Sequence, residues 1–260
     1  MRNRILAIIL GLVMAGALSA EAQQRNMLPR FPELIIEKGL SENFEVTECA
    51  AKVKISANDA DASLKVQMKN VSDKPISSSV KFRVLYPTSE SQVRISVDGK
   101  AKRFDRANPR HAFELQPGAT ISFDINARTS VNYSVDSVRK ALRDQEDEDG
   151  KRKKGFLMED FTKLFEREKF GRRFMVGSLV SKWGLFPVDF SKASIEVSVP
   201  TEFVMVTANA EIWQQSQSGN SKVFKSDARE NFSAAVFLPE GDREDFIATQ
   251  KVLSSENFMH

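Results

Sequence analysis

Side chains that do chemistry are scarce in this sequence. Its 260 residues include two histidines and one cysteine. His260 is the last residue, so His111, in Asn108-Pro109-Arg110-His111, is the sole internal imidazole. That leaves little basis for a metal site built on two or three imidazoles. A Ser-His-Asp triad would have to use His111, and no Gly-x-Ser-x-Gly elbow accompanies it. A Cys-His pair would have to join His111 to Cys49, and neither residue carries a supporting signature. The expectation is a surface-loop histidine and a buried, inert thiol within the strand Thr47-Glu48-Cys49-Ala50-Ala51. A lone cysteine forms no disulfide within its own chain, which leaves an intermolecular bond as its alternative role.

Carboxylates are plentiful, and sugar hydrolysis needs only two of them at the right separation. Sequence spacing does not place such a pair across a sheet. Asn58-Asp59-Ala60-Asp61 lacks the glycine and terminal glutamate of a calcium-binding EF-hand loop and reads as a solvated turn. No catalytic, metal-binding or cofactor-binding residue is assigned, and no cofactor is implied. Three glycosylation sequons, at Asn70, Asn132 and Asn231, matter only in a host that modifies asparagine.

The sharpest interaction candidate is aromatic. Nineteen phenylalanines stand against two tyrosines, and Phe156, Phe161, Phe165 and Phe170 gather in one stretch. Leu157, Phe161, Leu164 and Phe165 fall at helical spacing and make one apolar face. That face either covers an open end of the core or contacts a partner or a membrane surface. Beside it, residues 144–154 form an acidic block followed by a basic block, with no apolar residue, as a solvated loop would.

The elements that must position these groups are mostly strands. Leu64, Val66 and Met68 alternate with Lys65, Gln67 and Lys69. Val80, Phe82 and Val84 alternate with polar residues, as do Val93, Ile95 and Val97, and later Ile121, Phe123 and Ile125. Asp98-Gly99 and Pro117-Gly118 mark turns, as does the cluster from Asn70 to Pro75. After the break near Tyr133, strands return at Phe174 to Val180, Ile195 to Val199, Phe203 to Val206 and Phe232 to Leu238, with a polar turn over 214–221. The reading is a mainly β fold: an antiparallel, immunoglobulin-like β-sandwich with an α-helical insertion and a second strand-rich part. The segments are 1–22, a signal peptide; 23–42, an extended N-terminal stretch; 43–133, the sandwich; 134–171, the helical insertion with its charged loop; and 172–260, the second β-rich part with a short C-terminal helix.

Arg2 and Arg4 precede an apolar run from Ile5 to Ala15, and Ala20-Glu21-Ala22 has the small-x-small form that a signal peptidase accepts. The run is shorter than the roughly 20 residues of a spanning helix, and no second long apolar run follows. The mature chain is expected to carry no membrane span. The net charge of +3 falls nearer balance once Arg2, Arg4 and Glu21 are removed, which gives no footprint for nucleic acid.

The strand and turn from Leu64 to Ser72, and Phe113 to Gly118 leading into Ile121-Ser122-Phe123, resemble immunoglobulin-like sandwiches of exported bacterial proteins. Trp183 and the run Ala193 to Pro200 resemble the second half of an uncharacterised exported β-sandwich family. The resemblance implies a bacterial envelope protein, periplasmic or extracellular, and no site residues. The expected function is non-catalytic binding or support of another envelope or extracellular protein, or of a glycan, through a sandwich surface. Alternatives are a carbohydrate-active hydrolase using paired carboxylates and a periplasmic chaperone of the pilus-assembly type. Expression with secretion should yield a mature N-terminus at Gln23 by terminal sequencing; a retained Met1 would overturn the cleavage reading.

Overall fold

The structure is a computed structural model and describes residues 30–38, 43–84, 87–133, 171–184, 186–227, 234–244 and 246–247. Its strands, in chain order, are β1 (Glu33–Lys38), β2 (Phe44–Ile55), β3 (Asp59–Asn70), β4 (Ile76–Arg83), β5 (Val93–Val97) and β6 (Lys100–Lys102). Then come β7 (Arg110–Leu115), β8 (Thr120–Ser130), β9 (Asn132–Tyr133), β10 (Gly171–Arg172), β11 (Phe174–Val176) and β12 (Val180–Lys182). The last are β13 (Phe186–Pro187), β14 (Ala193–Pro200), β15 (Phe203–Thr207), β16 (Gln214–Ser218), β17 (Ser221–Ser226) and β18 (Ala235–Pro239).

One sheet has eight strands in the order β16-β17-β14-β2-β3-β8-β5-β6. A second has the order β13-β12-β1-β4-β7, a third β11-β18-β15, and β9 pairs with β10. Alternation decides which face of the large sheet goes inward. In β3, Ala60, Ala62, Leu64, Val66 and Met68 are buried, while Asp61 and Lys65 between them are exposed. That is the period of two a half-buried strand requires.

The inner faces of the eight- and five-stranded sheets meet on a cluster of rings. Phe123 of β8 is fully buried. It takes Phe82 of β4 edge-on at 6.2 Å between centroids and Phe113 of β7 at 5.7 Å. Such tilted pairs add about 0.5–1.5 kcal/mol each beyond area burial. Farther along, Phe237 of β18 meets Phe224 of β17 at 5.3 Å and Trp213 at 6.2 Å, joining the third sheet to the same core. A smaller apolar layer with Met175, Val206, Val236, Leu238 and Phe246 covers that sheet's other side. The run Ala235–Leu238 is consequently buried on both faces, and so it does not alternate.

Several expectations need correcting. The fold is not a purely antiparallel, immunoglobulin-like sandwich. β14 pairs with β2 in parallel, and β1 pairs with β12 in parallel. An eight-stranded mixed sheet is also unlike the four-plus-three arrangement of that family. Strands from before residue 134 and after 171 share both large sheets, so the second strand-rich part completes the first. Period-two alternation reports a half-buried strand but not its direction or its neighbours. The α-helical insertion is no part of the observed architecture. Among the described residues no helix reaches seven residues, and Gly171, at the insertion's end, sits in β10. Residues 134–170, with Phe156, Phe161, Phe165 and Phe170, lie outside the described residues, as do Ala20 and Ala22. At the C-terminal end the structure shows a single 3-10 turn, Glu240–Asp242, followed by helical residues at 243–244 and 246–247.

Two more segments differ from the reading. The extended N-terminal stretch contributes β1, whose Leu34, Ile35 and Ile36 are buried between β12 and β4. The polar turn at 214–221 is a hairpin of β16 and β17 around Gly219-Asn220. By contrast, Asp98-Gly99 turns β5 into β6 with φ of 48° and 73°.

A buried charge pair holds β1 in place. Glu33, 5 % exposed, accepts from Arg83 Nη1 at 2.8 Å and from the hydroxyl of Ser181 on β12. Gly184, at φ +74°, leaves room for this guanidinium; a Cβ there would lie 2.7 Å from Arg83 Nη2. Glu33→Ala should cost about 3 kcal/mol in denaturant unfolding, because it strands a largely buried Arg83. Gly184→Ala should cost about 1–2 kcal/mol for its left-handed backbone, and an unchanged midpoint in both would refute this role for the pair.

Candidate functional site

The outer face of the eight-stranded sheet carries the polar residues that alternation excludes from the core. Register lines them up across strands. Lys225 of β17 stands opposite Glu196 of β14, Glu196 opposite Lys52 of β2, and Lys52 opposite Ser63 of β3. Ser63 then meets Asn126 of β8, and Asn126 meets Arg94 of β5. The next row runs Val223, Ser198, Lys54, Asp61 and Arg128. Together the rows floor a shallow, open trough of 760 Å³, with Ser91 and Gln92 along one side and Ser218 and Ser221 along the other.

Charge in the trough is uneven. Its basic residues are Lys52, Lys54, Arg94 and Arg128, and its acidic ones are Asp61 and Glu196. Arg128 is occupied by Asp59 at 2.9 Å and Asp61 at 3.8 Å, and Glu196 is held by Lys225 at 3.2 Å. The side chains of Lys52, Lys54 and Arg94 have no ion pair or hydrogen bond among the described residues. All three are exposed. None of the lining residues is aromatic. Recognition in the trough therefore rests on charge and hydrogen bonds, with no ring for a sugar to stack on.

The trough's two carboxylates do not form a hydrolytic pair. β2 separates Asp61 from Glu196, and their register positions differ by two residues. Strand spacing and rise place their backbones about 12 Å apart. Each carboxylate also leans away from the other, Asp61 towards Arg128 on β8 and Glu196 towards Lys225 on β17. Acid–base hydrolysis of sugars requires roughly 5–9.5 Å between carboxyl groups.

The residues singled out in the sequence are scattered. Cys49 lies in β2 and is fully buried; burial, then the charge of Glu48, pushes its thiol up to about 12. That suppresses the thiolate and the reactions that need it. Asp59 and Asp61 sit on a strand rather than in a turn, and a guanidinium occupies the space between them where a cation would go. Among the described residues no group of three or more His, Cys, Asp or Glu side chains is placed to hold a metal. Nor, among them, is any helix long and apolar enough to cross a membrane.

His111 is in β7, not in a loop, and its ring stands edge-on to Phe123 at 6.4 Å. The sequon asparagine Asn70 is fully buried. Its Oδ1 accepts from the Ser72 amide at 2.9 Å, and its Nδ2 donates to the carbonyls of Lys74 at 2.8 Å and Leu115 at 3.0 Å. It is a turn anchor, inaccessible to modification in the folded chain. Sequence reading missed the trough residues. Their polarity at alternate positions was visible, but which residues meet across strands depends on register.

No known family profile matches the chain, and no curated protein matches it in sequence. Among solved structures, it is similar to a protein of Legionella pneumophila described as nutrient binding, at 11 % identity and a TM-score of 0.45. The match covers 90 % of this chain and 79 % of that one. It is also similar to an M1 zinc metallopeptidase of Deinococcus radiodurans, at 9 % identity and a TM-score of 0.39. There it covers 76 % of this chain but spans only 43 % of the peptidase. Likenesses at this level say nothing of what this chain binds or does.

His111 makes the fold pH-sensitive. Burial first, then the charge of Lys102, lowers its pKa below the usual imidazole value, with Asp98 opposing. The folded state thus resists protonation that the unfolded state accepts. The stabilisation is full above about pH 6.5, the ordinary value, and is lost as pH falls through the lower folded value. Melting temperature should drop between neutral and mildly acidic pH, and His111→Gln should flatten that slope; an equally steep slope in the variant would refute the assignment.

Proposed function

We propose that this chain is an exported, non-catalytic binding module of the bacterial envelope, and that it holds another envelope component on the outer face of its eight-stranded sheet. The observation that carries this reading is the trough: two aligned rows of side chains, with three exposed basic groups that no partner among the described residues neutralises. A charged side chain already committed to an ion pair gains little from a ligand, whereas Lys52, Lys54 and Arg94 can each offer a full charge. The complementary ligand bears acidic groups along an extended shape, as an acidic protein segment or an anionic glycan does.

The hydrolase alternative loses support from the divergent carboxylates of the trough. A pilus-type chaperone requires a basic anchoring pair in a cleft between two domains. Here strands from both halves share single sheets, and the free basic groups lie on a sheet face.

The test is co-sedimentation of the mature protein with isolated native envelope at low salt. Lys52→Glu, Lys54→Glu and Arg94→Glu combined should reduce the bound fraction at least about tenfold, and added salt should weaken the wild type in the same direction. All three residues are exposed, so the fold should survive, with an unchanged melting temperature as the control. Undiminished binding of the triple variant would exclude the trough as the contact surface.

A further inference from the structure

The edges of the sheets are not treated alike. β6 is three residues long and carries Lys100 and Lys102. β13 has two residues, one of them Pro187. β7 carries Arg110 and Glu114. β15 has no exposed residue, and β11 is bridged on its free side by Arg30. Short length, lysine, proline and cover are the usual devices that stop a sheet edge from recruiting another strand.

β16 has none of these devices. Its sequence, Gln214-Gln215-Ser216-Gln217-Ser218, contains no charge, no proline and no glycine, and every residue is exposed. One side pairs with β17, and among the described residues no strand pairs with the other. The hairpin turns through Gly219-Asn220, with Ser218 opposite Ser221. A two-residue turn closes on a hydrogen-bonded pair, so alternation directs the backbone groups of 214, 216 and 218 to β17. The N–H and C=O of Gln215 and Gln217 therefore face away from β17.

From this we infer that β16 is a self-association edge, and that two copies of the chain pair through it as antiparallel strands about a two-fold axis at Ser216. In that register Gln215 of each copy opposes Gln217 of the other, and both outward backbone groups of both residues are satisfied. The cross-strand side-chain pairs are Gln with Gln, Gln with Ser, and Ser with Ser. All are neutral, and all can donate and accept. A second copy is favoured over an unrelated peptide because the edge is its own complement: no like charges meet at any position. The axis lies normal to the sheet, so the outer faces of the two copies fall on the same side. Ser218 and Ser221 line the trough, and the two troughs become neighbours on one continuous sheet. The inference does not depend on what the trough holds.

Sedimentation velocity of the mature chain, carried to high micromolar concentration, should show a monomer–dimer equilibrium. Gln217→Pro removes an N–H that the hairpin does not use, and should weaken the dimer at least about tenfold. Ser216→Lys and Ser216→Glu should each weaken it similarly by placing like charges across the axis, and an equimolar mixture of the two should restore it. Circular dichroism and melting confirm that each variant is folded; the restored mixture shows it independently. A wild type that stays monomeric throughout, or a dimer indifferent to the charge variants, overturns the proposal.

Discussion

The parallel pairing of β14 with β2 is the constraint on which the molecule depends. It sets Ala193 to Ser198 beside Cys49 to Lys54, segments far apart in the chain. Parallel neighbours cannot be joined by a tight hairpin, so this contact must wait for a long crossover to close. Once made, it widens the sheet from β6-β5-β8-β3-β2 to eight strands by adding β14, β17 and β16. The tertiary core follows from it. Ile195 and Val197 of β14 continue the apolar rows of Ala51 and Val53, and β17 brings Phe224 to Phe237.

The same pairing builds the outer surface. Glu196 falls beside Lys52, and Ser198 beside Lys54, only in this register. A slip of one residue would turn the polar set inward and the apolar set to water. The trough and the core are therefore two faces of one register. The cost of moving either is the loss of both, and this explains how an open, shallow surface of flexible side chains can still have a defined pattern.

Three of the polar residues that enter the interior have a clear structural task. Glu33 is answered by Arg83 and Ser181 and pins β1 between two neighbours. Asn70 closes the turn after β3 and ties it to the end of β7. Cys49 fills core space with its thiol held protonated. Polar groups with catalytic work usually gather in one concave place; Glu33, Asn70 and Cys49 are dispersed over separate strands. That dispersion, more than the small number of histidines, sets the trough apart as the surface with unspent interaction capacity.

By itself the sequence determined most of the alternating strands, their inward faces and several turns, though not β1, β16 or β17. Side-chain alternation is local, and the left-handed turn at Asp98-Gly99 needs residues that tolerate positive φ. Burial of Leu64, Val66, Met68, Phe123 and Ile125 was legible for that reason. The turn role of Asn70 was legible too, although its burial was not. Only the tertiary structure decided the parallel pairings, the merging of both strand-rich parts into shared sheets, and the capture of β1 by β12 and β4. Those outcomes depend on which edges meet. Edge choice is made by the summed burial of whole sheets, a quantity no short window of sequence contains. Lys52 and Lys54 of β2 and Arg94 of β5 stand at the outward positions of their strands, yet their meeting on one floor depends on a register across β3 and β8 that the chain order conceals.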